Sequence, residues 1–302
     1  MKEFPPLPSV ETPADEDGSD AVGHAAAADV FREGHLWTEE LIDGDPLRFR
    51  VTDAGFLEFG DEDGVFDHDA VPLRYRSAVR TVREGFARDT FVAAVEDPGS
   101  VTFFGVATHA RRLPYDLDRI PPFLGTALHD VDRERYLPPD TVRRAFERVG
   151  LPTIDPIEKE LRAAHVDPQE YPIPDSRYYD GPAAGVVFHN KGGGRAVHRN
   201  SAIEEPEPPS KTDETRETRE TSEMEDLDLD DRVTDAWLDR LVERSSVDAG
   251  IDPDATTVET IVDRAIERLA RETPALTDAG HGPSENEVRS ALAGRIDRYL
   301  RS

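Results

Sequence analysis

The chain of 302 residues contains no cysteine. Disulfide bridges, thiolate catalysis and cysteine-ligated metal centres are therefore excluded. Lysine is nearly as scarce: of 36 basic residues only Lys2, Lys159, Lys191 and Lys211 are lysines, and the rest are arginines. Any reaction that needs a lysine has four candidates. No run of 18 apolar residues occurs, so no membrane-spanning helix and no membrane partner are expected. The first twenty residues, MKEFPPLPSVETPADEDGSD, offer no apolar stretch of signal-peptide length. The expected location is the cytoplasm.

Acids are abundant. They number 64 and bring the formal charge to −28, while apolar residues make up 37% of the chain. The acids are spread along the whole sequence, which reads as the surface of a halophilic protein. Net charge of this size keeps a chain dispersed, and molar salt, with a screening length of about 3 Å, removes the self-repulsion. A protein that mimics nucleic acid or binds basic partners is the other reading of such a balance.

Along the chain, residues 1–29 read as a flexible N-terminal segment, with order expected from about Val30. A body follows at residues 30–203. Residues 204–231, with three prolines and repeated Glu-Thr-Arg units, read as a disordered acidic linker. Residues 232–302 form a helical tail. Within the body, Leu47–Val51 and Phe56–Phe59 alternate in character around a turn at Thr52–Gly55, a hairpin pattern. Val101–Val106 and Gly185–Phe188 are apolar, β-rich runs. Val79, Val82 and Phe86 share one helical face, as do Val142, Ala145, Phe146 and Val149, with Gly150 placed to end that helix. Strands and helices are mixed without a βαβ repeat, which predicts an α+β fold with a largely antiparallel sheet. In the tail, Val233 to Val242, Val258 to Leu269 and Val288 to Leu300 carry three amphipathic stripes.

Local chemistry is sparse. His109, His129, His189 and His198 lack metal-ligand spacing and read as scattered polar residues. Lys191-Gly192-Gly193-Gly194-Arg195 lacks the spacing of a phosphate-binding loop and reads as a hairpin turn. Asp61, Glu62, Asp63, Asp67, His68 and Asp69 read as a solvated acidic loop.

The order of six short segments resembles that of the ATP-dependent RNA ligases of the covalent nucleotidyltransferase superfamily. Glu40-Leu41-Ile42-Asp43-Gly44, with Arg48 four residues on, is similar to the family's Glu-Lys-x-Asp-Gly motif. Phe104-Gly105-Val106 is similar to Phe-Gly-Glu. Pro121–Ala127 resembles the segment ending in Phe-Asp. Gly150–Thr153 precedes Pro174-Asp175-Ser176. Ala184-Gly185-Val186-Val187 resembles Glu-Gly-Val-Val, and Arg195-Ala196-Val197 resembles Arg-x-Lys. The resemblance implies an ATP-grasp-like nucleotidyltransferase fold with antiparallel sheets, joined here to a C-terminal helical region. In such a fold a lysine attacks the α-phosphate of ATP, acids hold Mg²⁺, and the adenylyl group passes to a 5′-phosphate end.

The residues that would carry this chemistry are substituted. The nucleophile position holds Leu41, the acid positions hold Val106, Ala127 and Ala184, and the last-motif lysine position holds Val197. A hydrocarbon has no lone pair to attack phosphorus. What the resemblance leaves is a cleft of Glu40, Asp43, Gly44, Arg48, Lys191 and Arg195. The expectation is a pseudo-ligase with no cofactor and no metal site, ATP and Mg²⁺ applying only if the family activity persists. Its partners would be RNA or DNA ends, or an active ligase or repair protein, with Arg48, Arg74, Arg76, Arg80, Arg83, Arg111 and Arg112 as candidate phosphate contacts. Salt bridges to the many acids are the competing use of those arginines. Two alternatives stand beside it: an active ligase using a displaced lysine, Lys191 being the one nearest the cleft, and a scaffold acting through the helical tail.

Overall fold

The computed structural model describes residues 1–11, 21–203, 232–249, 258–273 and 285–301. The chain divides into two compact units. The first comprises Met1–Val71 and Ala78–Glu204, and the second Pro72–Ser77 and Glu205–Ser302. Residues 204–231, read as the linker, lie outside the described residues.

The first unit is α+β, and its named strands pair antiparallel. Its elements are α1 (Ala21–Val30), β1 (His35–Glu40), β2 (Gly44–Val51), β3 (Leu57–Gly60), the later turns of α2 (Leu73–Gly85), α3 (Arg88–Ala94), β4 (Val101–Thr108), β5 (Phe123–Asp130), β6 (Arg135–Tyr136), α4 (Pro139–Arg148), β7 (Pro156–Arg162), β8 (Gly185–Asn190) and β9 (Arg195–Arg199). They form a four-stranded sheet in the order β7-β1-β8-β9 and a five-stranded sheet in the order β3-β2-β4-β5-β6. The predicted hairpin is β2–β3, with Val51 opposite Leu57. The glycine run after Asn190 is the turn between β8 and β9, as its composition suggests.

The five-stranded sheet has an aromatic face. Phe49 and Phe103 stack with centroids 4.6 Å apart, and the rings of Phe86, Phe91 and Phe146 meet Phe103 edge-on. Offset and edge-to-face contacts of this kind add to the stabilisation from burial. Phe86 follows α2 and Phe146 lies on α4, so the two predicted apolar helix faces cover this side of the sheet. Helix α4 ends at Gly150, whose φ of +78° suits glycine; an added Cβ would lie 2.8 Å from the Gly85 carbonyl oxygen. The four-stranded sheet packs a second cluster on one face: Leu36, Val186, Phe188 and Ala196 with Ala27 and Val30 of α1, and Val10.

That last residue lies in the N-terminal segment, residues 1–29, read from the sequence as flexible. Residues 1–11 lie along the first unit, and Ala21–Val30 is helical; only residues 12–20 are outside the description. Three prolines at positions 5, 6 and 8 limit the freedom that ordering removes. Phe4 and Val10 supply apolar anchors. The run of alanines in AVGHAAAADV carries high helix propensity.

In the second unit, α5 (Asp235–Ala249), α6 (Val258–Glu272) and α7 (Glu285–Leu300) bury Trp237, Leu238, Ile261, Val262, Leu269, Val288, Leu292 and Ile296 against one another. All three apolar stripes of the tail thus contribute to one core, with Val258 and Leu300 at their ends left exposed. Arg76, in the segment 72–77, reaches Glu285 through two bonds of 2.6 and 2.9 Å. No described helix is long and apolar enough to cross a membrane.

Replacing Phe103 by alanine removes the centre of the aromatic face. The expected loss is about 3–5 kcal/mol in the first unit. Val92→Ala, at an exposed position of α3, should stay within about 0.5 kcal/mol. Denaturant unfolding at fixed salt distinguishes them, and equal losses would contradict the assignment of the core.

Candidate functional site

The positions named by the sequence resemblance lie on and between the two sheets of the first unit. Leu41 follows β1, and its amide donates to the Gly185 carbonyl at 2.9 Å. Its side chain lies over Gly185, where an added Cβ would approach Leu41 Cδ2 to 3.2 Å. Leu41, Val106 and Ala184 belong to one apolar cluster with Ile42, Leu113, Tyr115, Leu117, Ile120, Leu124 and Ile154. Three of the five substituted positions therefore belong to one apolar cluster, Ala184 buried within it and Leu41 and Val106 partly buried against it. Ala127 pairs across from Phe104 on β4–β5 and is buried outside that cluster. Val197 is buried in β9.

The segment that closes this cluster, residues 109–120, is held by Asp43. Asp43 Oδ1 accepts from the Arg112 guanidinium at 2.7 and 3.1 Å. Its Oδ2 accepts from the backbone N–H groups of Arg112 and Leu113 at 2.9 and 3.3 Å. The Asp43 N–H donates to the Tyr115 hydroxyl at 2.9 Å. Burial by itself would raise the pKa of this carboxyl; the hydrogen bonds and charge of Arg112 outweigh it and hold the value below the ordinary range. Burial pushes the Tyr115 phenol well above its ordinary value, with Glu40 and Asp43 nearby adding to the effect.

Glu40, the neighbouring acid, is bound by the Ser176 hydroxyl at 2.6 Å and the Arg177 N–H at 3.1 Å. Burial raises its pKa against the opposing pull of those two donors. Tyr178 and Tyr179 extend the apolar cluster, and burial pushes Tyr178 up to about 12. Arg112, Tyr115 and Ser176 are the residues that sequence reading missed. They reach Asp43 and Glu40 from segments without a motif, and only the unusual tyrosine density of 171–179 hinted at a packed rather than open region.

Of the remaining cleft residues, Gly44 pairs with Thr108 at the start of β2. Arg48 is buried, lies over the Phe4 ring at 5.3 Å and donates to the Lys2 carbonyl at 2.7 Å, while its Nε meets no acceptor. Arg195 Nε is likewise buried and unbonded. Burial pulls the Arg195 pKa down, with Glu39 and Tyr136 opposing. Lys191 is not near Leu41. Asn190 pairs with Leu36, so Lys191 lies beyond the opposite end of β1, about 16 Å of strand away. Its Nζ is bound to Glu160 at 2.8 Å.

The arginines nominated for phosphate are mostly committed. Arg76 binds Glu285, Arg80 binds Glu84, Arg111 binds Asp45 and Arg112 binds Asp43. Arg74 and Arg83 lie over the rings of Tyr75 and Phe59. The competing use, partners for the many acids, prevails. The four histidines do not converge either: His109 is 3.5 Å from Asp45, His189 3.0 Å from Glu39 and His198 2.5 Å from Glu11, while His129 packs on Tyr136. Among the described residues no group of three histidines or acids could hold a metal. Asp61 Oδ1 accepts from the Asp63 and Gly64 amides, so this part of the acidic loop is structured by its own turn.

ATP and Mg²⁺ do not fit these residues. Leu41, Val106 and Ala184 offer hydrocarbon where the resemblance expects an amine and acids, and the carboxyl groups of Asp43 and Glu40 are bound by Arg112, Leu113, Ser176 and Arg177. No chemical step is derived through either group.

No family model and no curated protein matches the chain. Among solved structures it is similar to an RNA ligase of Naegleria gruberi. Against that ligase with PPi the identity is 11%, the TM-score 0.49 and the coverage 67% of this chain and 56% of the other. Against a lysine-to-alanine variant of it with ATP and Mn the values are 12%, 0.46, 60% and 54%. An apo variant gives 12%, 0.47, 67% and 56%. The chain spans little more than half the length of those ligases.

Asp43→Asn should cost about 1.5–3 kcal/mol at neutral pH, the range for hydrogen bonds to a charged group. Because the folded pKa of Asp43 lies below its unfolded value, its contribution is complete above the ordinary carboxylate range. It fades as pH falls through the folded value. The gap between the unaltered chain and the variant should therefore shrink on acidification, as read by urea midpoints across pH 3–7. A gap independent of pH would contradict the role given to the ionised carboxyl.

Proposed function

We propose that this chain is an RNA-ligase-like protein that has lost nucleotidyl transfer and acts by binding a protein partner, an active ligase or a repair protein. The observation that carries the reading is the joining of Leu41, Val106 and Ala184 with Tyr115 in one apolar cluster. A nucleotide cleft needs charged groups that become costly once their ligand is gone. Hydrocarbon at three of those positions, packed together, is the arrangement that removes the cost.

Two further observations bear on the partner. The commitment of Arg76, Arg80, Arg111 and Arg112 to carboxylates takes up four of the arginines that would have met a phosphate backbone, which favours a protein over RNA or DNA ends. The packing of most of the three tail stripes on one another, among the described residues, weighs against a scaffold that acts through those stripes. The distance of Lys191 from Leu41 and its pairing with Glu160 weigh against a displaced-lysine ligase.

Incubation with α-labelled ATP and Mg²⁺ at high potassium chloride, followed by denaturing separation, tests the reading. No label should stay on the protein. Leu41→Lys should not restore labelling, since Val106 and Ala184 supply no acid, and it should lower stability by placing an amine in the apolar cluster. Covalent label on the unaltered chain would overturn the reading.

A further inference from the structure

Residues 1–11 touch both sheets of the first unit without belonging to a named strand of either. At one end the Tyr136 hydroxyl donates to the Glu3 carbonyl at 3.0 Å, Arg48 donates to the Lys2 carbonyl, and Phe4 meets Phe104 edge-on at 5.3 Å. At the other end the segment pairs with the outer edge of β9. The Val197 N–H donates to Pro8 and the Val10 N–H donates to the Val197 carbonyl, both at 2.9 Å. Ser9 bridges Val197 in parallel. Gln169 Nε2 donates to the Val10 carbonyl at 2.8 Å, the Arg199 N–H donates to Glu11 at 3.1 Å, and His198 Nδ1 lies 2.5 Å from the same carboxylate.

Most of these contacts use main-chain groups of the segment. They fix an extended strand and ask little of its side chains beyond Phe4, Val10 and Glu11. Strand addition at a sheet edge with one side-chain anchor is a general mode of peptide recognition. The fit is also incomplete. Arg48, which bonds the Lys2 carbonyl and lies over the Phe4 ring, keeps a buried Nε without an acceptor. A buried donor without a partner is costly. The chain's own residue at this end is Lys2, whose positive charge also bears on His129. An occupant with an acid at that place would suit the groove better.

We propose that the edge of β9 and the Phe104–Arg48–Tyr136 face form a peptide-binding groove, occupied in cis by residues 1–11. It takes from a partner protein an extended, proline-containing segment with an aromatic residue, an acid two positions before it and a carboxylate seven positions after it. The inference takes the protein-partner reading as its premise. It concerns peptide binding, which is measured without nucleotide, so its failure and the failure of the catalytic reading are separate results.

The probe is a synthetic peptide of residues 1–11 carrying a dye on a C-terminal linker, read by fluorescence anisotropy. The receptor is the full chain with Phe4→Ala and Val10→Pro, which removes the ring anchor and one backbone bond; a chain lacking residues 2–11 is the second receptor. A folded receptor of either kind should bind the peptide at least tenfold more tightly than the unaltered chain, whose groove is filled. A peptide with Phe4→Ala should bind at least tenfold more weakly, and one with Lys2→Glu several-fold more tightly. Absence of saturable binding, or equal binding by the unaltered chain, would overturn the proposal. So would indifference to Phe4. A Lys2→Glu peptide that binds no tighter would remove the case for a foreign segment over the chain's own. If neither receptor melts cooperatively, residues 1–11 are a structural part of the core and the groove is not a binding site.

Discussion

The Asp43 carboxylate, buried and bound four times by Arg112 and Leu113, is the constraint on which the centre of the first unit depends. A carboxylate in that position is tolerable only with its charge matched and its lone pairs used. Meeting that condition draws residues 109–113 against the end of β1. Tyr115, bonded to the Asp43 amide, then enters the space beside Leu41. The apolar cluster follows from this: once the loop is fixed, Leu113, Leu117 and Ile120 have one place to go. Charge satisfaction and hydrocarbon burial thus support the same arrangement, a consistency that favours one folded state.

This arrangement changes what the residues around it can do. Glu40 and Asp43 are the two acids beside Leu41, and both are spent on donors from the chain itself. Arg112 is spent on Asp43. On the proposed reading, the site evolved from recognition of a charged ligand to internal satisfaction, with Leu41, Val106 and Ala184 as the hydrocarbon that follows. Arg48 and Arg195 are the exceptions. Each keeps a buried Nε without an acceptor, and Arg48 meets the N-terminal segment at Lys2 and Phe4.

Much of the architecture was legible in the sequence because it rests on local pattern. The β2–β3 alternation, the Val101–Val106 run, the faces of α2 and α4 and the glycine after α4 each carry their cause within a few residues. The tail stripes likewise name their own core. Residues 1–11 were not legible, because their order comes from β9 and β4, far away in sequence, and their own composition suggests freedom. The site was legible only as a set of substitutions. That Leu41, Val106 and Ala184 join one cluster is a long-range fact, and Ala127, named with them, lies outside it. Lys191 looked close because it precedes a motif. The register of β8 on β1 puts it at the far end. The arginines looked available because sequence does not show which acid each one faces.

Amide hydrogen exchange tests the central claim most directly, namely that the space beside Leu41 is filled by the chain itself and admits no nucleotide. On this account the amides of Leu41, Asp43, Arg112 and Leu113 exchange as slowly as those of the Phe103 strand, and ATP with Mg²⁺ leaves their rates unchanged. Rapid exchange at these amides that slows when ATP and Mg²⁺ are added would contradict it, showing an open cleft that closes on its ligand.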